Sequence, residues 1–597
     1  MCGCCHECIS PSSIPRTPHR GAGGLSIQAA GTNVGVVTDL DGKFSLTMPK
    51  GKTVLRVSYV GMETVEVVGK RNMRIALKHE NTDLDEIVVV AYSTAKRQSI
   101  TGSVSVVGEE KIKDRITTSV TAALEGSAPG IQVNNTYGEP GSAPTIRIRG
   151  IGSLVGSAQS PLYVVDGVVF DGNISELNPN DIESMSVLKD AASAALYGNR
   201  AANGVILITT KKGKGAGKPQ ISLKVNHGFY NRGIPEYERL GADQWMEASW
   251  TAMKNFAMSG SMGLDEASAK AYASQHLVPD YIQRNIYDRD YDDLFDENGK
   301  LIANVLAGYT DLDWEKDIER TGHRQEYNVA ASMASEKYNV YSSIGYLKED
   351  GYVRGVGYER FNGRVNTMFT PNKWFKTGFN LNATYANHNF NANADGNAYA
   401  NPFYVARYMA PVYPLYLHNE DGSFLLDEFG NVQYDTTSPY LDNRNIAYEI
   451  GQDKDKNRRS VINGQVFGTL MLPYNFSFTV RADATRSNTN RQHYNNPYIG
   501  DGATNNGRLL SYAYQYTNYT AQELLNWEHE YGVNHVDVML GHENYSWVRR
   551  YTAGMNTGMA VNGNLTMGNF LTNSYFVGSD DEYKTESYLA RVRYNYD

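Results

Sequence analysis

The stretch that decides the fold is PGIQVNNTYGEPGSAPTIRIRGIGSL at residues 129–154, followed by PLYVVDGVVFDGNISELNPNDIESMSVLKDAASAALYGNRAANGVILITTKK at residues 161–212. Ile146–Gly150 alternates apolar and basic residues, which is typical of a strand with one solvated face. Asp166-Gly167 lies between two apolar runs and predicts a tight hairpin, because both central positions of a type I′ turn need positive φ. With the apolar run Gly204–Thr210, these signals predict a compact α/β unit that has glycines at its turns.

Two helix signals lie between the strands of this unit. Asn178-Pro179 predicts the start of a short helix before the strand Met185–Leu188, since proline suits a first helical turn. Asp190 is placed to N-cap a helix over Ala191–Tyr197, and Gly198 is placed to follow its last turn. Neither GKGAGK nor GNRAANG has the spacing of a nucleotide-binding loop, so these glycines are interpreted as structural.

The segment resembles the plug domain of SusC/RagA-type TonB-dependent transporters of the bacterial outer membrane. The motifs that carry the resemblance are PLYVVDG, NPNDIESMSVLKDA, YGNRAANG and ITTKKG. The resemblance implies a plug at residues 96–214 inside a barrel, and a transporter that performs no covalent chemistry, so we do not expect an enzyme. The plug-motif residues are Arg147, Arg149, Gly150, Asp166, Gly167, Tyr197, Gly198, Arg200, Asn203 and Gly204.

The chain before the plug begins with a cysteine-rich stretch. Residues 1–24 hold all four cysteines and lack the apolar core of a signal peptide, so we interpret them as an atypical or misassigned N-terminus. The alternative, a metal site made of these cysteines and His6, has no second ligand pair at zinc-finger spacing.

Residues 25–80 resemble a carboxypeptidase-regulatory-like, transthyretin-like β-sandwich. Asp41-Gly42 is a hairpin signal between short apolar runs. The family version opens with a further strand, and we expect this edge strand to be missing here. The predicted strands are Val34–Val37, Phe44–Leu46, Val54–Val60, Thr64–Val68 and Met73–Leu77.

Residues 81–95 occupy the position at which the family carries the TonB box. An extended segment of this kind adds a strand to the sheet edge of its partner, and main-chain hydrogen bonds hold it there. The alternative is an ordinary buried strand. The TonB-box candidates are Asp85, Glu86, Ile87, Val88, Val89 and Val90.

From Gln220 onward apolar and polar residues alternate over stretches of about ten residues, the length that spans a bilayer when a strand is tilted. The connections alternate between short and long, as in outer-membrane barrels. The predicted strands lie near 220–229, 324–334, 338–347, 361–370, 375–386, 459–472, 475–486, 516–529, 534–545 and 586–597.

The sequence therefore predicts a mainly β fold: the N-terminal sandwich, the α/β plug, and the first part of a transmembrane β-barrel at residues 215–597. Large plugged transporters have about 22 strands, so we expect the barrel to be partial and the chain to be truncated. Trp374 beside a short turn is interpreted as either a girdle aromatic or an ordinary turn aromatic.

Composition narrows the function further. The net charge of -9 argues against nucleic acid as a partner. We find no catalytic elbow and no cysteine–histidine pairing. The acidic stretch Asp288–Lys300 offers oxygen ligands for Ca²⁺, but it lacks the full EF-hand spacing and is interpreted first as a solvated loop. Otherwise no cofactor is expected.

By resemblance, the chain imports an oligosaccharide or a peptide across the outer membrane of a Gram-negative, Bacteroidota-like cell. The implied partners are the TonB–ExbB–ExbD complex, a SusD/RagB-like lipoprotein and outer-membrane lipid. A siderophore or cobalamin receptor and, in another class, a surface adhesin or binding module are the alternatives. Residues 241–257 predict an amphipathic helix at an outer rim, and residues 387–446 are rich in the aromatic and amide side chains that suit a glycan.

Overall fold

The computed structural model describes most of the chain. It covers residues 5–8, 26–30, 32, 34–39, 43–47, 54–58, 64–70, 75, 87–90, 93–96, 103–113, 115–134, 139–152, 159–170, 172–190, 194–215, 217–260, 262–390, 400–441 and 443–596. Two compact units are present, and the second contains the plug and everything after it.

The first unit is a small β structure. Its strands are β1 (Cys5–Cys8), β2 (Ser26–Ala29), β3 (Gly35–Val37), β4 (Lys43–Leu46), β5 (Val54–Ser58) and β6 (Val65–Val68). One sheet has the order β3-β2-β5-β6, and β1 pairs with β4. Buried side chains form its core: Ile27, Phe44, Leu46, Leu55, Val57 and Ile75.

Two expectations for this unit are wrong. Strand β2, which pairs with β3 on one side and β5 on the other, is not among the predicted strands. It is only four residues long and buries only Ile27 and Ala29, which is too short a pattern to stand out. The expectation that an edge strand is missing is also wrong, since the backbone of Cys5–Cys8 pairs with β4. Of the predicted strand Met73–Leu77, only Ile75 lies among the described residues.

The plug is an α/β unit, as predicted. Its central sheet has the order β13-β12-β15-β14-β9, in which β12 and β15 are parallel, and β10 pairs separately with β11. Asp166 and Gly167 have φ of 48° and 87°, so the predicted tight hairpin is confirmed. The elements are β9 (Val104–Gly108), α1 (Glu109–Lys113), β10 (Ile131–Asn134), β11 (Thr145–Ile148), β12 (Leu162–Val165), β13 (Val168–Val169), β14 (Ile182–Leu188) and β15 (Val205–Thr210), with 3-10 turns at Val120–Leu124, Ile174–Glu176, Pro179–Asp181 and Ala195–Ala201.

The helix predicted over Ala191–Tyr197 can be compared with the structure only from Ala194 onward. Ala194 is α-helical, and its N–H donates to the Asp190 carbonyl at 3.1 Å, as in a first helical turn. Residues 191–193 lie outside the described part, and a 3-10 turn over Ala195–Ala201 is broken at Gly198, whose φ of 62° and ψ of -148° are not helical. Asp190 uses its carboxylate to accept a hydrogen bond from the Ser103 backbone N–H. This long-range contact ties Asp190 to the residue that precedes β9. The shorter prediction at Asn178-Pro179 is confirmed as a 3-10 turn that Asn178 caps.

The rest of the chain builds one antiparallel sheet in which each strand pairs with the next in sequence. Before it, β7 (Ile87–Val90) and β8 (Ser93–Lys96) form a separate two-stranded sheet. All ten predicted strands are confirmed. They are β16 (Gln220–Tyr230), β17 (Gly322–Ala334), β18 (Tyr338–Asp350), β19 (Gly357–Asn372), β20 (Phe375–Phe390), β21 (Lys454–Met471), β22 (Phe476–Asn495), β23 (Arg508–Tyr531), β24 (Asn534–Met559) and β25 (Phe570–Tyr596).

The strands extend further from the short turns than predicted. The connections expected at 348–360, 487–515 and 546–585 shrink to 351–356, 496–507 and 560–569. Charged residues on both faces of β24 and β25 hide the two-residue period there. The ladder nevertheless continues, and cross-strand pairs such as Arg549–Asp581, with Nη2 2.6 Å from the carboxylate, accompany it.

Burial in the sheet is reversed relative to a water-soluble fold. One face exposes apolar side chains, with Ile344 at 75% and Val592 at 73% exposure, while on the other face Arg360 is 1% exposed. An exposed apolar face of this extent fits contact with lipid. Trp374 is exposed on the short β19–β20 connection, which agrees with both interpretations of this residue.

Two long connections fold together into what we call the loop body. The β16–β17 connection contains α2 (Ala242–Met258), α3 (Glu266–His276), a π-helical turn (Leu277–Ile282) and α4 (Trp314–Ile318); the β20–β21 connection contains α5 (Pro402–Tyr408) and α6 (Ile446–Gln452). The helix predicted at 241–257 is thus confirmed. Both connections share one apolar core, in which the Trp314 indole donates to the Tyr413 carbonyl at 2.8 Å. Among the described helices, none has the length and apolar character needed to cross a bilayer.

Candidate functional site

The plug contacts the sheet through polar side chains on every strand from β17 to β24. Arg324 on β17 reaches the plug at Thr117 and Thr118, and Glu543 on β24 reaches it at Arg200. The strands between them make further polar contacts with the plug. The sheet therefore curves around the plug, and this interface is the candidate functional site.

The NPND motif places a carboxylate at the sheet. Asn178 caps the turn Pro179–Asp181, and the Asp181 carboxylate, 1% exposed, then accepts hydrogen bonds from the Tyr341 hydroxyl at 2.9 Å and from the Ser343 hydroxyl at 2.6 Å. The neighbouring Asn180 amide donates to the Glu326 carboxylate at 2.8 Å. This motif, predicted only as a helix start, thus also attaches the plug to β17 and β18.

Arg360 on β19 is a buried cation that holds the plug by its backbone. Its Nη1 donates to the carbonyl of Ser175 at 2.6 Å, of Leu177 at 3.1 Å and of Thr118 at 3.2 Å. Removing such a donor leaves buried carbonyls without a partner, which costs about 1–3 kcal/mol for each group. Arg360 therefore contributes strongly to holding this part of the plug.

Glu176 is a buried plug carboxylate whose pKa is strongly shifted. Burial raises its pKa to about 7, although the Arg459 and Arg360 guanidiniums oppose this shift. Its side chain is 3% exposed and forms an ion pair with Arg459 on β21. Burial sets the direction of this shift, because the cost of keeping an ionised carboxylate away from water exceeds the effect of the two guanidiniums.

Glu176 should therefore make stability depend on pH. Between about pH 4.5 and pH 7 the folded state binds a proton that the unfolded state has lost, so the free energy of unfolding should fall as pH rises, by at most about 3 kcal/mol. Glu176→Gln should remove this dependence. The measurement is thermal unfolding in detergent at pH 5 and pH 8, with Glu183→Gln as the matched control. Equal pH dependence in the wild type and Glu176→Gln would contradict the assignment.

A hydrogen-bonded chain, here called the relay, joins two plug loops through three strands. The Gly167 carbonyl accepts from Arg481 Nη1 at 3.4 Å and from Gln522 Nε2 at 3.3 Å. Gln522 Nε2 also donates to Glu543 at 2.7 Å, and Glu543 accepts from Arg200 Nη2 at 2.9 Å. The relay thus links the Asp166-Gly167 turn to the YGNRAANG loop.

The glycine of this turn is needed for two reasons. Its φ of 87° is the left-handed conformation that side chains disfavour, and a Cβ at Gly167 would lie 2.5 Å from Arg481 Nη1. Asp166 secures the other half of the turn by accepting from the Thr210 N–H at 2.9 Å and from its hydroxyl at 2.6 Å.

The remaining plug-motif residues do not meet at one place. Tyr197 is buried in the plug, and Gly204 lies against the Leu188 carbonyl, 3.0 Å from where its Cβ would be. Asn203 donates to the Ser160 carbonyl at 3.4 Å. Gly198 breaks the turn described above. Half-buried Arg147 lies in β11, and the exposed Arg149 and Gly150 form the turn after it.

Two predictions from the sequence, the TonB box and calcium binding, are not tested by the structure. Asp85 and Glu86 lie outside the described residues, and Ile87–Val90 is described only as β7, so the TonB box stays a prediction. In the acidic stretch, Asp288 accepts from the Asn304 N–H and Asp296 from the Asn298 and Lys300 N–H groups, and these hydrogen bonds lower the pKa of both carboxyls. Within the described ranges, no three potential metal ligands converge. Calcium binding stays a prediction.

The sheet side of the interface is not predicted by the sequence patterns described above. Most of its residues lie on the polar rows of the predicted strands, where the alternating pattern predicts only a wet face. Arg360 lies one residue before the predicted strand 361–370. A usable signal was present, because charged residues recur on those rows where a barrel lumen would meet a plug. The missed residues are Arg324, Glu326, Arg360, Arg364, Arg459, Arg481, Gln522 and Glu543.

Comparison with known proteins agrees with this architecture. Residues 96–205 match the family model described as the TonB-dependent Receptor Plug Domain, and residues 17–89 match the CarboxypepD_reg-like domain. A TonB-dependent receptor of Formosa agariphila is 29% identical over 534 residues, which cover 87% of this chain and 47% of that protein.

SusC of Bacteroides thetaiotaomicron, also a TonB-dependent receptor, is 31% identical over 374 residues, covering 61% of this chain and 32% of SusC. The structure resembles that of the RagAB peptide importer in its open-open state, with a TM-score of 0.67 and 23% identity over 86% of this chain and 55% of that chain. This chain spans less than half the length of these two curated relatives.

Proposed function

We propose that this chain is a SusC/RagA-type TonB-dependent receptor. Its relatives with this plug are TonB-dependent receptors, and none of those named above is an enzyme. We propose that it works in the outer membrane of a Gram-negative cell, where it imports an oligosaccharide or a peptide with the help of a SusD/RagB-like lipoprotein.

The observation that carries the proposal is the chemistry of the plug–sheet interface. The plug keeps its own apolar core, which includes Met185, Val187, Ile206 and Ile208, and it meets the sheet through polar and ionic contacts. Polar contacts can be exchanged for contacts with water at a small net cost, typically about 1 kcal/mol each. A pulled plug can therefore leave the sheet without unfolding.

The energy for this displacement comes, in the proposal, from the TonB–ExbB–ExbD complex. The segment Asp85–Val90 offers a strand to that complex, and force on it reaches the plug through the chain that follows. The amide-rich and aromatic loops support an oligosaccharide as the substrate, while the likeness to the RagAB peptide importer supports a peptide.

Deletion of Asp85–Val90 tests the coupling step. We expect uptake to be abolished while substrate binding at the cell surface stays unchanged. The deletion removes the segment that the TonB complex binds and leaves the plug–sheet interface intact. Uptake is measured with labelled substrate in cells, and binding on the same cells after depletion of the proton-motive force. The matched control replaces Ser93–Lys96, the strand next to β7, with a flexible segment of equal length. Uptake that survives the deletion would refute the assignment.

A further inference from the structure

Five aromatic side chains share one face of the sheet just beyond the plug. Tyr516, Trp547 and Tyr583 form a row across three strands, with ring centroids 5.5 Å and 5.9 Å apart. Tyr514 and Tyr551 form a second stacked pair with centroids 4.6 Å apart. We call these five residues the aromatic platform.

The platform lies on the same face as the relay. Glu543, Tyr545, Trp547 and Tyr551 are separated by even numbers of residues in β24, and the register with β23 and β25 is unbroken over this span. Side chains at such spacing point to one side of a strand. From Glu543, which binds the plug, the platform continues away from the short turn and toward the loop connections.

Tyr545 connects the platform to the plug. The Arg200 guanidinium lies over its ring, 5.3 Å from the centroid, and the ring makes an edge contact with Tyr583 at 6.4 Å. Opposite Tyr545, the hydroxyl of Thr585 is buried and has no hydrogen-bond partner among the described residues. An occupant of the platform would therefore lie against the side chains that hold Arg200.

The polar groups around the platform are electrically balanced. Arg549 sits between the two aromatic groups on this face and pairs with Asp581 through Nε at 3.0 Å and Nη2 at 2.6 Å. Their side chains are 47% and 40% exposed, so both can still reach a ligand. Balanced charge favours a neutral ligand over one that carries a net charge.

The backbone of β24, which carries Trp547 and Tyr551, is unsuited to peptide capture by strand addition. Strand β24 pairs with β23 and with β25 along this stretch, so its N–H and C=O groups are already used in the ladder. Peptide capture by strand addition needs a free edge. A pyranose ring instead presents a flat C–H face that packs on aromatic rings and hydroxyls that bind an arginine–carboxylate pair.

We propose that the aromatic platform, with Arg549 and Asp581, is a binding subsite for a neutral oligosaccharide above the plug. Tyr545 to Tyr551 spans roughly 20 Å along the strand, enough for a few sugar units. The proposal rests on the proposed import function and assigns its substrate a place and a chemical class. Occupancy would be sensed by Arg200 through Tyr545.

Calorimetric titration of the full chain in detergent tests the subsite. The probes are maltohexaose, cellohexaose, xylohexaose and mannohexaose, with the neutral hexapeptide (Gly-Ser)3 as the comparison. We expect at least one hexasaccharide to bind, Trp547→Ala and Tyr583→Ala each to weaken its binding at least tenfold, and Trp547→Phe to restore most of it. Tyr519→Ala is the matched control, since Tyr519 lies on the opposite face of β23 and is 57% exposed.

Two results would overturn the subsite. One is wild-type affinity in both alanine variants; the other is binding of the peptide and of none of the four sugars. The proposed function fails separately, when uptake does not depend on Asp85–Val90. Normal sugar binding by Trp547→Ala together with deletion-sensitive uptake would therefore refute the platform and leave the import function standing.

Discussion

Replacing Arg360 with alanine is expected to loosen the plug by about 3–5 kcal/mol, since it removes a buried cation and leaves its partners unpaired. The Arg360 guanidinium is the shared donor for the carbonyls of Ser175, Leu177 and Thr118, and its side chain is 1% exposed. Water cannot easily replace a donor at such a site.

The loss is measurable as faster exchange of plug amides. Hydrogen exchange in β14 and in the turns before it should accelerate at least a hundredfold, the equivalent of about 3 kcal/mol. Arg550→Ala is the control, because the Arg550 side chain is 65% exposed on the other face of the sheet. The exchange rate in Arg360→Lys should lie between those of the wild type and Arg360→Ala. Lysine keeps the positive charge but loses the planar guanidinium group that donates in a fixed geometry. Unchanged exchange in Arg360→Ala would show that other contacts suffice to hold the plug.

Removing Arg200 from the relay should destabilise the seated plug nearly as much as Arg360→Ala does. The Glu543 side chain is 2% exposed, so Arg200→Met would leave a buried carboxylate without its cation, at an expected cost of about 3 kcal/mol. Glu543→Gln should cost less, because a neutral amide can still bond Gln522. In the double variant Arg200→Met/Glu543→Gln the two losses of stability should not add. The coupling energy between the two residues should be about 1–3 kcal/mol.

The measurement is a double-mutant cycle on the urea midpoint for release of the plug from the purified receptor. Arg149→Met is the matched control, since Arg149 lies in an exposed turn of the same motif set. Strictly additive costs would show that Arg200 and Glu543 act independently and that the relay does not transmit between them.

The sheet could be predicted well because its cue is local. Residues such as Tyr327 and Val329 alternate with polar neighbours, and lipid on one side and a polar interior on the other keep that alternation regular. Beyond the lipid both faces meet water, so the period disappears around Arg549 and Arg550 and the strand ends were set too early.

The plug–sheet interface could not be predicted in the same way. Asp166-Gly167 is recognisable as a turn because turn geometry depends on neighbouring residues. Nothing near Gly167 in the sequence reveals that Arg481 and Gln522 approach its carbonyl. Likewise nothing near Asp190 in the sequence reveals that its carboxylate accepts a hydrogen bond from the distant Ser103 backbone N–H.

The relay also sets the order in which the molecule can assemble. Arg200 and Glu543 are 343 residues apart in the chain, and the Gly167–Gln522 contact closes a loop of 355 residues. Contacts of such separation form late, because the entropy of loop closure must be offset before they contribute. The plug can fold early as its own unit, yet it can be seated only after β24 has joined the sheet. Docking of the plug into the sheet is thus a late step of assembly. Variants that weaken the relay should accumulate as membrane-inserted forms whose plug is folded but not docked.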